Sequence, residues 1–163
     1  MAKEWGTIAD HLKQFALGQK VFFIATASGD DDVNLSPKGL ETFRVIDDKT
    51  VSYADFHGSG NQTAKHLSEG GKATITFMSF GEKPLILRFY ATGRVLEPGA
   101  AEFAKLLSSH YGEIEEQYIR HVRQIFLFDV YRVQTSCGYG VPIMNYVSDR
   151  REQPYFRELL GLE

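Results

Sequence analysis

Between Asp55 and Leu67 the chain reads DFHGSGNQTAKHL, two glycines and a run of small polar side chains set between an apolar alternation and a helical pattern. Glycines let backbone approach a ligand closely, and amide, hydroxyl and N–H donors at the start of a helix suit a phosphate. Asn61, Gln62 and Thr63 stand where such donors would be needed. Two familiar phosphate loops do not match. Gly58-x-Gly60-x-x-Thr63 puts a branched residue where the dinucleotide fingerprint wants glycine or alanine, and the strands upstream arrive as hairpins. No Gly-Lys-Ser/Thr follows, so a Walker loop is excluded. The competing expectation is a solvated turn leading into an N-capped helix.

Other chemistry-bearing residues are scattered. Ser36-Pro37-Lys38-Gly39 breaks a strand and leaves a lysine beside a polar row. Arg88 interrupts the apolar run LILRFY, where a solvent-facing arginine is the ordinary outcome. Cys137 lies in SCGYGVP at the end of the longest strand pattern, a place where a lone cysteine is more often a packed small residue than a nucleophile. The five histidines form no ligand-like spacing with Cys or Asp, and no Ser/His/Asp arrangement is recognisable.

The elements that must position these groups follow from periodicity. Residues 4–18 place Trp5, Ile8, Leu12 and Phe15 three or four apart, the stripe of an amphipathic helix closed by Gly18. VFFIATA (21–27) is a strand. VNLSPKG (33–39) alternates, with Val33 and Leu35 on one face and Asn34 and Ser36 on the other. Residues 43–46 and 50–56 read as strands around Asp47-Asp48-Lys49, and 72–80 and 85–97 as strands around Gly81 and Pro84. The segment 100–112 is helical, with a pattern that runs on toward Ile119; 123–135 is a long strand, and 154–161 a short helix with proline in its first turn. Hairpin-joined strands are antiparallel. About six or seven of them in one small chain predict a mainly β fold, a β-barrel or sandwich with flanking helices.

Bulk properties set the outer bounds. A chain of 163 residues suits one domain, residues 1–163. A net charge of −3 without a Lys/Arg run argues against nucleic acid as partner. The single cysteine fits a reducing compartment, and neither a signal peptide nor a membrane span is legible, so a cytoplasmic protein is expected.

Taken together, NLSPKG, YADFHGSGNQTAKHL, KATITFM, LILRFYATGRV and TSCGYGVP, in this order, resemble the pyridoxamine 5′-phosphate oxidase-like flavoprotein family. The resemblance implies a six-stranded antiparallel split barrel, pairing as a homodimer with FMN at the dimer interface. It implies phosphate contacts from Asn61, Gln62 and Thr63, although the true oxidases carry Arg-Lys where this chain has Gln62-Thr63. It places Ser36 and Lys38 along the flavin and ribityl chain, and Ala54 and Asp55 at another flavin-lining position. Arg88 would meet the ring, where a cation favours reduced, anionic flavin. The end of the chain does not resemble the oxidases' end, so vitamin B6 oxidation is not carried over; SCGYGVP resembles a subgroup without an established substrate. The expectation is an FMN-dependent oxidoreductase of unknown substrate and electron donor. The alternative is a non-enzymatic flavin or haem binding or sensor protein on the same fold.

Overall fold

A computed structural model describes residues 2–151 and 153–162. Chain order is β1 (Lys3–Trp5), α1 (Asp10–Gly18), β2 (Val21–Ala27), β3 (Asn34–Gly39), β4 (Phe43–Val45), β5 (Thr50–Phe56), α2 (Gln62–Ser68), β6 (Lys72–Met78), β7 (Ile86–Leu96), α3 (Ala101–His110), α4 (Glu116–Ile119), β8 (Val122–Ser136) and α5 (Pro154–Leu159). The strands form a single antiparallel sheet in the order β3-β2-β6-β7-β8-β5-β4, with β1 paired to β8. The sheet curls into a half-barrel with helices on its flanks.

The expected strands are all present, and an eighth, β1, was not expected. Residues 4–18 do not form one helix: Lys3–Trp5 pair with Val133–Thr135, and the helix begins only at Asp10. The apolar stripe is still buried, since Ile8 and Leu12 are in the core and Trp5 packs on it from the strand. The same burial is reached from two elements, because β8 offers a free edge that helical propensity cannot weigh.

Alternation fixes the inside of the curl. Phe22, Ile24 and Thr26 of β2 are buried and their neighbours are not, and Leu87, Phe89 and Ala91 do the same in β7. The interior is aromatic: Phe22, Phe43 and Phe77 form a cluster with centroid separations of 4.8–5.6 Å, and Tyr53 lies 4.8 Å from Phe126. A second apolar cluster forms between β5, β8 and α3, around Leu96, Phe103, Tyr111 and Ile125. β5 is therefore buried on both faces, Val51 and Tyr53 against the first cluster and Ala54 against the second.

Two departures from simple patterning matter for the site. The apolar face of β3 points outward, with Val33 and Leu35 72% and 65% exposed, while the polar row Asn34, Ser36 and Lys38 is half-buried. Along β5 and β8, Asp55 pairs with Gln124 but Phe56 pairs with Val122, so Arg123 is an extra residue in the ladder. Such a bulge re-aims a side chain that alternation would send to the other face.

Candidate cofactor cleft

A cleft of about 340 Å³ lies between the polar row of β3, the end of β5, the loop Gly58–Asn61, the start of α2 and the start of β8. Its organising group is Asp55, only 5% exposed. One carboxylate oxygen accepts from Lys38 Nζ at 3.0 Å, and the other accepts from Arg123 Nε and Gln124 Nε2, both at 2.9 Å. A buried carboxylate with three donors is fully satisfied. Two cations around one anion leave the cleft with a net positive charge.

Arg123 also fixes the loop. Its Nη1 donates to the Gly58 carbonyl at 3.0 Å and its Nη2 to the Gly60 carbonyl. Gln124 Nε2 donates in addition to Asn61 Oδ1 at 2.7 Å, so the bulge holds the polar turn from one side. From the other side, Asn34 Nδ2 donates to Thr63 Oγ1 at 3.2 Å, and Ser36 Oγ donates to Asn34 Oδ1 at 3.2 Å. Gln62 is drawn off behind the helix, donating to Asp31 Oδ2 at 2.9 Å beside the buried His66.

Counting protons shows what the cleft can still do. Lys38 has donated one of three ammonium hydrogens. Thr63 accepts from Asn34 and keeps its own O–H to give. The Tyr53 hydroxyl, buried at the floor, makes no hydrogen bond of ordinary geometry, the Thr63 side chain being the hydrogen-bonding group that acts on it. Burial first, and the negative Asp55 second, hold that phenol well above its ordinary range, so it is a neutral donor. Unspent donors in a positively charged cleft are the chemistry of an anion site.

Of the residues expected at the site, Ser36, Lys38, Asp55, Asn61, Gln62 and Thr63 come together here. The other two do not. Ala54 turns its side chain into the cluster beneath α3, because successive residues of β5 face opposite ways. Arg88 is half-buried in β7 opposite Thr76 and Gln134, and its Nη1 donates to Ser136 Oγ at 2.9 Å. Asn34, Tyr53, Arg123 and Gln124 escaped sequence reading. Asn34 had a signal, as it shares the polar row of Ser36, but Arg123 had none, because a bulge is not visible in the residue pattern.

A curled antiparallel half-barrel with this cleft is the FMN-binding split-barrel fold. Residues 8–137 match the pyridoxamine 5′-phosphate oxidase family, and the chain belongs to that family. It is 35% identical over 149 residues to the pyridoxamine 5′-phosphate oxidase family protein ustO of Aspergillus flavus, which covers 88% of this chain and 57% of that protein. The chain thus spans little more than half the length of that relative. Among solved structures, the heme storage protein HutZ from Vibrio cholerae superposes with a TM-score of 0.56 at 16% identity, over 76% of this chain and 89% of that one. The FAD binding protein from Mycobacterium smegmatis superposes with a TM-score of 0.52 at 10% identity, over 80% and 95%. At these identities the likeness is one of fold. No helix among the described residues is long and apolar enough to cross a membrane, and no group of three or more His, Cys, Asp or Glu among them could hold a metal ion.

Proposed function

We propose that this chain binds FMN in the cleft and acts as an FMN-dependent oxidoreductase. The observation that carries the reading is the set of unspent donors, Lys38, Thr63 and Tyr53, gathered in one cleft with a net positive charge. When bound, FMN supplies the electron-transfer chemistry, and the protein supplies binding, orientation and field. Lys38 and Thr63 would hold the phosphate, with Asn61 and Gln62 shaping that end. Arg123 and Gln124 keep the loop in place and the Asp55 charge compensated. Tyr53 offers a neutral donor from below. α2 is seven residues long, so side chains rather than a helix dipole must do most of the holding.

The cleft composition favours flavin over haem. No His, Cys or Met lines it among the described residues, and its tyrosine is buried and neutral, so an axial ligand to iron is lacking. The donor set also matches a phosphate better than the large apolar macrocycle would require.

The test compares FMN with riboflavin, which lacks the phosphate, by titrating protein into each flavin and following fluorescence. FMN should bind at least about tenfold more tightly, the contribution of one or two charge-assisted hydrogen bonds. Equal affinities would remove the phosphate cradle. Anaerobic addition of NADH or NADPH should then bleach the flavin band; a bound flavin that no nicotinamide or amine reduces would make the protein a binder or sensor.

A further inference from the structure

Gln62 stands between two sites. It lines the cofactor cleft, yet its amide is spent on Asp31 in the loop after β2 and on His66, one turn further along α2. His66 is fully buried, and its other ring nitrogen, Nδ1, lies 2.9 Å from Thr26 Oγ1 in β2.

This second network is overfilled. Asp31 Oδ2 accepts from Lys65 Nζ and from Gln62 Nε2, which occupies both of its lone pairs. His66 Nε2 stands 3.3 Å from the same oxygen as a third claimant. The Gln62 and His66 nitrogens are also only 3.1 Å apart, so one hydrogen must lie between them. An amide nitrogen donates and does not accept, so His66 Nε2 is the acceptor and the ring proton sits on Nδ1, facing Thr26. That tautomer has two faults. A ring lone pair faces a carboxylate oxygen, and Thr26 Oγ1 receives both Nδ1–H and an Asn34 N–H at 3.4 Å while its own proton finds no acceptor in the network.

Both faults vanish when the Gln62 amide turns away. Nε2 then carries the ring proton and donates to the vacated lone pair of Asp31, and Thr26 gives its hydroxyl proton to Nδ1. The imidazole stays neutral throughout: one N–H is lost at Nδ1 and one is gained at Nε2. The place open to the amide is the cleft that Gln62 already lines, where an anion would take its N–H. Asn34 donates to Thr26 and to Thr63, so the network reaches that end of the cleft by a second route as well.

We propose that Gln62 is a two-position anion clamp, withdrawn onto Asp31 and His66 when the cleft is empty and turned onto the anion when it is filled, with the His66 tautomer changing in step. His66 is thereby a positioning residue that never touches the ligand. That the anion is the FMN phosphate rests on the flavin reading; the exchange of Gln62 and His66 on one carboxylate oxygen does not.

Long-range 15N–1H correlation spectra of histidine-labelled protein report which ring nitrogen carries the proton, recorded at about pH 8, where an ordinary imidazole is neutral. Flavin-free protein should show His66 protonated at Nδ1. Gln62→Ala should move the proton to Nε2 without any ligand, since the competing amide is gone. FMN should move it to Nε2 in the wild type, and riboflavin, without a phosphate, should not. Gln62→Ala should also weaken FMN by about threefold or more and leave riboflavin nearly unchanged. A proton already on Nε2 in the flavin-free wild type would overturn the proposal, as would a tautomer indifferent to Gln62→Ala or to bound FMN. A protein that takes up no FMN, yet shifts its proton to Nε2 on Gln62→Ala and on adding inorganic phosphate, would support the clamp and sink the flavin reading.

Discussion

Asp55 shows how one buried carboxylate can shape the charge of a cleft that it lines. Its negative charge holds Lys38 and Arg123 side by side, and those two cations then leave a net attraction for an anion. Thr63→Ala with Lys38→Ala should therefore cost FMN several-fold or more in affinity, roughly 1–3 kcal/mol, and leave riboflavin nearly unchanged. Parallel flavin titrations decide it, and equal weakening of both would move the damage to the ring site or the fold. Tyr53 gives an independent check, because its hydroxyl is buried and makes no hydrogen bond of ordinary geometry. Tyr53→Phe should leave the flavin-free protein as stable as before or stabilise it by about 1 kcal/mol, since an unsatisfied donor is removed. The same change should weaken FMN. A loss of stability in denaturant unfolding would mean that the hydroxyl already has a partner.

At the scale of elements, α2 is tied down by Asp31 on the preceding β-hairpin loop. Asp31 accepts from Lys65 and from Gln62, and the buried His66 bridges to Thr26 behind them. The Lys65 ammonium, with the Asp32 N–H next, lowers the Asp31 carboxyl to about 2. A depressed carboxyl gives its stabilisation in full above its unfolded value near 4 and loses it as pH falls through about 2. The Tm difference between wild type and Asp31→Asn should thus be constant above about pH 5 and close between about pH 4 and pH 2. A difference that persists at pH 2 would show that charge is not what Asp31 contributes. β7 and β8 make a contrasting demand. A Cβ on Gly93 would lie 2.6 Å from the Phe128 ring and 2.8 Å from the Leu127 carbonyl. Gly93→Ala should lower stability by about 1–3 kcal/mol through overpacking, read by thermal melting, with FMN affinity unchanged once the protein is folded.

The whole molecule leaves apolar surface on show. In β8, Ile125, Phe126, Phe128 and Val130 are buried within the chain, while Tyr131 is 50% exposed. The exposed apolar groups include Val33 just before the edge strand β3, Leu35 within it, and Ile143, Met144, Tyr146 and Val147 after β8. An apolar edge of this kind is an interface waiting for a partner, and we propose a two-fold homodimer burying more than about 1,000 Å². A dimer also gives Arg88 a way to matter, since it stands outside its own chain's cleft and would have to reach the flavin of a second copy. Light scattering at micromolar concentration should report a dimer, and Leu35→Lys should shift it toward monomer. If Arg88 does serve the partner's flavin, Arg88→Ala should lower the reduction potential of bound FMN without altering the monomer fold. An FMN-bound monomer would defeat both ideas.

Sequence alone determined the strands, because period-2 alternation and turn residues are local signals, and it singled out the polar turn Gly58–Thr63, which lines the cleft. It also marked Ser36, Lys38 and Asp55, from β3 and β5, as residues of one site, although these strands lie far apart in the sheet and meet only across its curl. Only the tertiary structure decided which way each residue faces. β3 turns its apolar side outward because its polar side lines the cleft, reversing the usual inference from hydrophobicity. Ala54 leaves the site and Arg123 enters it for one reason: pleat and bulge set side-chain direction, and both depend on which strand lies alongside. Likewise Trp5 packs on the core from a strand and not a helix, because the free edge of β8 exists only once the sheet has formed.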